Sequence, residues 1–238
     1  MITAISVYEN VGDNASFAEN GAMKFSQFNR IGEMANLWMV SHFTGGDTGL
    51  TPPANYITQK NKDYIQHLIN TNYSKSVSNG EMAKPDNYYL YERMYRIGHK
   101  DDIVCGDDND VITGKNTPIE LLDGAQFEDR KDTPIEECRP TADKPIATFE
   151  GDVFYFAPRS LGTVNLRYIR YPVAGKIVTK LDTVYKKLVP DPALSTSFDW
   201  PEFARPLLVW FIVDGYATFS RESQLAQKAE LMYQKLTA

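Results

Sequence analysis

Five carboxylates fall within ten residues of this chain, Asp101, Asp102, Asp107, Asp108 and Asp110, with His99 and Cys105 beside them. No other segment is as well supplied for chemistry. Hard divalent cations take several carboxylate oxygens from one loop, and a bound metal can activate water for hydrolysis. The spacing does not match the calcium loop of an EF-hand. Counting from Asp108, the third position is Asp110, but the fifth is Ile112 and the glycine position is Thr113. No base or nucleophile stands at readable spacing from these acids. A solvated acidic loop is therefore the preferred reading, with a metal-dependent hydrolase using Asp107, Asp108 and Asp110 in the loop 101–110 as the alternative. The turn Gly45-Gly-Asp-Thr-Gly49 could present backbone N–H groups to an anion, but it lacks the lysine of a Walker loop and follows no strand. Neither a G-x-S-x-G elbow nor an H-E-x-x-H pair is present. The sequence nominates no catalytic residue, no cofactor site and no metal site, and the expectation is a protein that is not an enzyme.

Composition narrows the classes further. The 238 residues include 25 Lys and Arg against 31 Asp and Glu, a net charge of −6, and 42% are hydrophobic. Such a chain suits one large soluble domain or two small ones. Its acidic balance argues against a protein that coats nucleic acid. The longest apolar run, Leu207 to Val213, falls far short of the roughly 18–20 residues of a membrane span, so no membrane partner is expected. Met1 to Val11 contains Glu9 and no basic stretch ahead of an apolar core, so it does not read as a secretory signal. Cys105 and Cys138 stand 33 positions apart with no C-x-x-C, which fits two free thiols in a reducing compartment. His42, His67 and His99 are isolated from one another and suit packing or surface roles.

The elements that would position these residues can be read from periodicity and punctuation. A short helix is expected over Ile2 to Asn10, ending near Gly12. An amphipathic helix is expected over Met23 to His42, where Phe28, Ile31, Ala35 and Trp38 recur at helical steps. After Pro52 and Pro53 a second helix spans Ala54 to Asn70, burying Tyr64, Ile65, Leu68 and Ile69. Asn70 to Gly80 is polar and reads as an exposed loop. Asn87 to Ile97 favours a strand, with a helix still open because its period is mixed. Asp101 to Asn116 reads as loop, and Leu122 to Lys131 as a short helix. Ile146 to Phe149 and Val153 to Ala157 form a hairpin about Glu150-Gly-Asp152, with Val164 to Tyr171 as a third strand. Residues 172 to 198 form a proline-punctuated connection. Asp199 and Glu202, with Pro201 between them, resemble a capping box, and Pro206 demands either a kink or a short first turn before the main helix. Leu225, Ala229, Met232 and Leu236 mark a final helix. The expected fold class is α+β: mainly a helical bundle (1–70 and 199–238) with an inserted small antiparallel β-sheet and long loops (85–172), in a single domain 1–238.

Two groups of side chains could make contacts. Arg93, Arg96, Arg167 and Arg170 lie among tyrosines, a mixture that can hold single-stranded nucleic acid by stacking and charge, although a solvated sheet face is the preferred reading. Trp200, Trp210, Phe211, Tyr216 and Phe219 give the C-terminal region a heavy aromatic load, and Tyr89 and Tyr91 stand on the first strand. Core packing is their default role, yet Trp and Tyr also anchor interfaces. These seven are the candidate subunit or partner contacts. A carbohydrate-binding module built on the hairpin aromatics is a further alternative, against which the long helices argue.

Three segments together resemble the neck ring proteins of tailed bacteriophages. They are Pro85-Asp-Asn-Tyr-Tyr-Leu-Tyr91, then Arg139-Pro-Thr-Ala-Asp-Lys-Pro145 leading through the hairpin to Val164-Asn-Leu-Arg-Tyr-Ile-Arg-Tyr-Pro172, then Phe198-Asp-Trp-Pro-Glu202. The likeness is to the head-tail connector or adaptor proteins of crAss-like and related short-tailed phages. It implies a virion structural protein without cofactor or catalysis, made in the host cytoplasm and resident in the phage neck or tail. It implies a homo-oligomeric ring, with twelve copies the expected number, that joins the portal protein to other neck ring or tail proteins. Double-stranded DNA would pass non-specifically through the channel. It also implies a helical bundle with an inserted small β-sheet. The chain departs from the simplest connectors in its longer, loop-rich middle.

Overall fold

A computed structural model describes residues 2–15, 22–45, 59–98 and 116–237. Along the chain these form β1 (Ile2–Thr3), α1 (Ala4–Asn14), α2 (Phe25–Thr44), α3 (Gln59–Ile65), β2 (Ile69–Ser76), β3 (Glu81–Ala83) and β4 (Tyr88–Arg96). There follow β5 (Thr117–Pro118), β6 (Glu120–Leu121), α4 (Gly124–Lys131), β7 (Ile146–Glu150), β8 (Val153–Ala157) and β9 (Thr163–Arg170). The C-terminal elements are β10 (Thr179–Leu181), β11 (Leu188–Pro190), β12 (Ser197–Phe198), α5 (Arg205–Ser220) and α6 (Ser223–Thr237). The chain divides into two compact units. The first is Met1–Pro52, Ile57–Leu68 and Tyr171–Ala238; the second is Pro53–Tyr56 and Ile69–Arg170.

The first unit is built on its helices. The Thr3 hydroxyl accepts from the Ser6 N–H and caps α1, which buries Ala4, Val7 and Val11 and continues past Gly12 to Asn14. In α2 the stripe Phe28, Ile31, Ala35, Met39 and Phe43 is buried, and Gly45 closes the helix in the left-handed conformation at φ 95°. Trp38, expected in that stripe, stands at its margin and is exposed. Pro206 proves compatible with a helix because it lies in the first turn of α5, where its missing N–H has no intrahelical partner to lose. A short 3-10 turn, Glu202–Ala204, leads into it, with Pro201 rather than Asp199 at its cap. Helix α5 buries Leu207 to Val213 without a break, because α1, α2 and α6 all pack on it. Gly215 permits the close approach of α2: a Cβ there would lie 2.7 Å from Ile31 Cγ2.

The second unit holds two four-stranded sheets, ordered β2-β9-β4-β5 and β3-β8-β7-β6. All pairings are antiparallel except β6 with β7. One core draws on both sheets: Met94, Val164, Leu166 and Tyr168 from the first, Met82, Ala147, Phe154 and Phe156 from the second. Alternation along β9 sends Val164, Leu166 and Tyr168 inward while Asn165 and Arg167 remain partly exposed.

A mainly helical bundle with one small inserted sheet is therefore corrected: among the described residues the chain is mixed, with six α-helices and twelve strands in four sheets. The physical reasons lie in particular segments. Residues 70–80 are not a loop, since β2 occupies Ile69–Ser76 as an edge strand. An edge strand can stay almost wholly polar and carry no apolar alternation. The helix expected over 54–70 is α3 plus a 3-10 turn at Gln66–Leu68, with Ile69 and Asn70 already in β2. The third strand, β9, does not extend the β7–β8 hairpin but belongs to the facing sheet. Residues 172–198 contain the β10–β11 hairpin and β12, which pairs with β1. The acidic cluster Asp101 to Asp110, with His99 and Cys105, lies outside the described residues, as does most of the Gly45 to Gly49 turn.

Candidate interaction surface

Most of the aromatic candidates serve the interior of the fold. Trp200 is buried, its indole N–H donating to Asn36 Oδ1, and its ring lies against Phe43 and His67. Asn36 is buried too, and its Nδ2 donates to the Pro172 carbonyl at 2.8 Å, so one amide ties α2 to two points of the C-terminal segment. Trp210, Phe211 and Tyr216 are buried on α5. Phe211 stacks on Tyr233 of α6 with centroids 5.5 Å apart, and Lys228 Nζ lies 5.6 Å from the Trp210 ring. Phe219, at the end of α5, is 59% exposed. Tyr89 and Tyr91 on β4 are half-buried, and Tyr91 packs against the core of the second unit. Burial, reinforced by Tyr95, pushes the Tyr91 hydroxyl up to about 12, so it stays neutral across the physiological range. The structure thus groups Trp210, Phe211 and Tyr216 on one helix and places Tyr89 and Tyr91 in the other unit.

Two of the arginines among the tyrosines are tied down within the second unit. Arg167 Nε lies 2.7 Å from the nearly buried Glu92 carboxylate. Arg96 donates to the Leu161 carbonyl at 3.3 Å and to the Ala142 carbonyl at 3.4 Å. Arg93 faces Arg167 across the β4–β9 ladder.

An open cleft of about 950 Å³ lies in the second unit, bordered by Gly80, Glu81, α4 and the end of β8. Lys131, Arg139 and Arg159 line it together with Glu81, Glu128, Asp132 and Glu150. Those charges nearly balance, so the cleft favours neither an anion nor a cation. Among the described residues, no group of three His, Cys, Asp or Glu side chains is arranged to hold a metal ion. Cys138 is an exposed thiol.

The surface that sequence reasoning missed is the β10–β11 hairpin. Its base is fixed: Asn29 of α2 accepts from the Ile177 N–H at 2.8 Å and donates to the Ile177 carbonyl at 3.0 Å. Lys176 pairs with Glu33 at 2.9 Å. Ser195 Oγ accepts from the Val178 N–H, and the Asp191 N–H donates to the Val178 carbonyl. Beyond Ile177 several apolar side chains are left uncovered, with Val184 77%, Tyr185 74% and Leu188 63% exposed and Leu181 similarly bare, as is Leu194 just after the hairpin. Scattered exposed apolar residues are ordinary, but here Leu181, Val184, Tyr185 and Leu188 share one short hairpin. The signal that could have found it is the pair of short apolar runs, Ile177-Val178 and Leu188-Val189, flanking Asp182 to Lys187.

No protein-family profile matches the chain, and no curated protein is detectably similar to it in sequence.

Proposed function

We propose that this chain is a structural protein of a phage virion, a neck ring component that joins the portal to the tail and extends the DNA channel. The observation that carries the reading beyond resemblance is the β10–β11 hairpin, anchored at its base and with Leu181, Val184, Tyr185 and Leu188 exposed. A two-stranded hairpin alone is marginal in water, and its exposed Leu181, Val184, Tyr185 and Leu188 suit burial in an assembly. A ring requires two different faces on each subunit, one offered to each neighbour. The exposed hairpin would supply one such face.

Net charge supports the role of conduit. At −6 the chain repels phosphates overall, which lets duplex DNA slide where a basic lining would hold it. In this reading the partners are copies of the chain, twelve by likeness to connector rings, with the portal and the adjoining neck or tail proteins. No cofactor takes part.

Quantitative mass spectrometry of purified particles, counting this chain against the portal protein, tests the reading. A ratio near one is expected of a ring that shares the portal's symmetry. Absence of the chain from particles overturns it.

A further inference from the structure

We infer that the β10–β11 arm of one copy docks on the surface formed by Ile135, Glu136 and Glu137 of a second copy of this chain. The inference rests on the ring reading only in taking copies of the chain as one another's neighbours.

The arm tip is shaped and held. Asp182 Oδ1 accepts from the Val184 N–H at 2.8 Å and from the Tyr185 N–H at 3.1 Å, the side-chain turn that aspartate favours. The Asp182 N–H donates to the Lys187 carbonyl at 2.8 Å, and Lys186 sits in the left-handed conformation at φ 50°. Val184 and Tyr185 are thus displayed in a set geometry, with Lys186 and Lys187 directly after them. Little ordering entropy is left to lose on docking, so the exposed apolar area can be spent on affinity.

A matching partner offers an exposed apolar side chain beside adjacent acids. The second unit carries one in Ile135, 59% exposed, followed by the exposed Glu136 and Glu137 of a short 3-10 turn. Along residues 128–139 five acids, Glu128, Asp129, Asp132, Glu136 and Glu137, stand against three cations, Arg130, Lys131 and Arg139. Arg130 pairs with Glu120 at 2.6 Å, Lys131 with Glu128 at 2.7 Å, and Arg139 donates to the Thr133 carbonyl at 3.1 Å. Asp129 and Asp132 are also exposed, so the segment carries a net negative charge beside the exposed Ile135. Apolar-plus-basic meets apolar-plus-acidic, which is the complementarity that fixes register and rejects wrong partners. The two surfaces differ, so the contact is heterologous and can propagate around a closed ring.

Cys138 adjoins the patch and provides a native handle for the test. Full-length chain carrying Cys105→Ser and Val184→Cys is prepared in light and isotopically heavy forms, mixed, treated with a short bismaleimide, and digested for mass spectrometry. The expected product is a 184–138 link joining light to heavy chains, lost when Cys138→Ser is added. Lys186→Glu with Lys187→Glu is expected to cut the link yield at least roughly tenfold through like-charge contact. Glu136→Lys with Glu137→Lys in the same chain is expected to restore it. These positions are exposed, so unchanged circular dichroism checks the fold. A link confined to single chains, no link at any protein concentration, or indifference to charge reversal overturns the inference. Self-association without the link overturns the docking site and leaves the ring reading standing. An interchain link in a chain missing from particles overturns the ring reading alone.

Discussion

Replacing Asn36 by alanine removes the amide that joins α2 to Trp200 and Pro172, and the structure sets the size of the loss. The side chain is 2% exposed, with one donor bond to the Pro172 carbonyl and one acceptor bond from the Trp200 indole. Both partners are buried and lose their bond without gaining water. Leaving a buried polar group unsatisfied costs about 1–3 kcal/mol each. Alanine returns roughly 0.5 kcal/mol as the better helix former. The expected net destabilisation of Asn36→Ala is about 1.5–5.5 kcal/mol, a large share of the roughly 5–15 kcal/mol that holds a domain. Urea unfolding followed by tryptophan fluorescence is the assay, because Trp38, Trp200 and Trp210 all belong to the first unit and report on it alone. Trp200→Phe removes the donor of the same bond, so the double variant is expected to be less destabilised than the sum of the singles, by about 1 kcal/mol or more. A loss below about 1 kcal/mol for Asn36→Ala, or strict additivity in the cycle, refutes the argument that this amide is a structural joint.

Three further outcomes follow from the packing and charges. Gly175→Ala is expected to destabilise by about 1–3 kcal/mol, the range for overpacking. An added Cβ would lie 2.6 Å from Phe198 Cδ2 and 2.9 Å from the Phe198 backbone nitrogen, which no change of rotamer relieves. Thermal unfolding decides it, and a stabilised variant would falsify the close approach. Burial, reinforced by Glu230, holds the Asp214 carboxyl above its usual range, so the folded state disfavours its charged form. Its contribution is favourable at acid pH and is lost as pH rises from the unfolded pKa through the folded one. Asp214→Asn is therefore expected to raise stability at neutral pH and flatten that part of the stability-pH curve, read by denaturant titrations at several pH values. Arg167→Leu takes the partner from the nearly buried Glu92 carboxylate and is expected to cost about 1–3 kcal/mol. Adding Glu92→Leu is expected to recover part of that loss in the same measurement, because it removes the stranded charge.

What was legible in the sequence tracks what physical signal each element had to carry. Helix α2 showed itself because one face is buried and the other wet, which is what a 3.6-residue period records. Helix α5 is buried nearly all round, so its sequence held no period to say which aromatic faced inward. Core packing was the default for Trp210 and Phe211, with a contact role left open. The β7–β8 hairpin was readable from its Glu150-Gly-Asp152 turn, but no local feature says that β9, after a link of five residues, crosses to the facing sheet. That choice belongs to the core, where Val164, Leu166 and Tyr168 meet Phe154 and Phe156. Strand β2 and the arm were hidden for the opposite reason. Their side chains are exposed in this chain, so nothing within the fold demands an alternating pattern of them.

A small arm is a sensible device for a ring even where it would hold a pair poorly. A dimer joined by one arm relies on one contact, and translational and rotational freedom alone claims several kcal/mol from it. Closure changes the balance. The last subunit to enter a ring makes two contacts at once, and the second forms at the high effective concentration set by the first. Contacts too weak to populate dimers can therefore support a complete ring, provided that the rotation per subunit divides the circle. The same logic favours an arm over a flat face. In the ring proposed above, the arm tip ordered by Asp182 would set the angle between neighbours through the bonds at its base, Asn29 to Ile177 and Lys176 to Glu33. In that proposal an anchored base with an uncovered tip would let each subunit fold first and commit its apolar side chains only when a neighbour arrives.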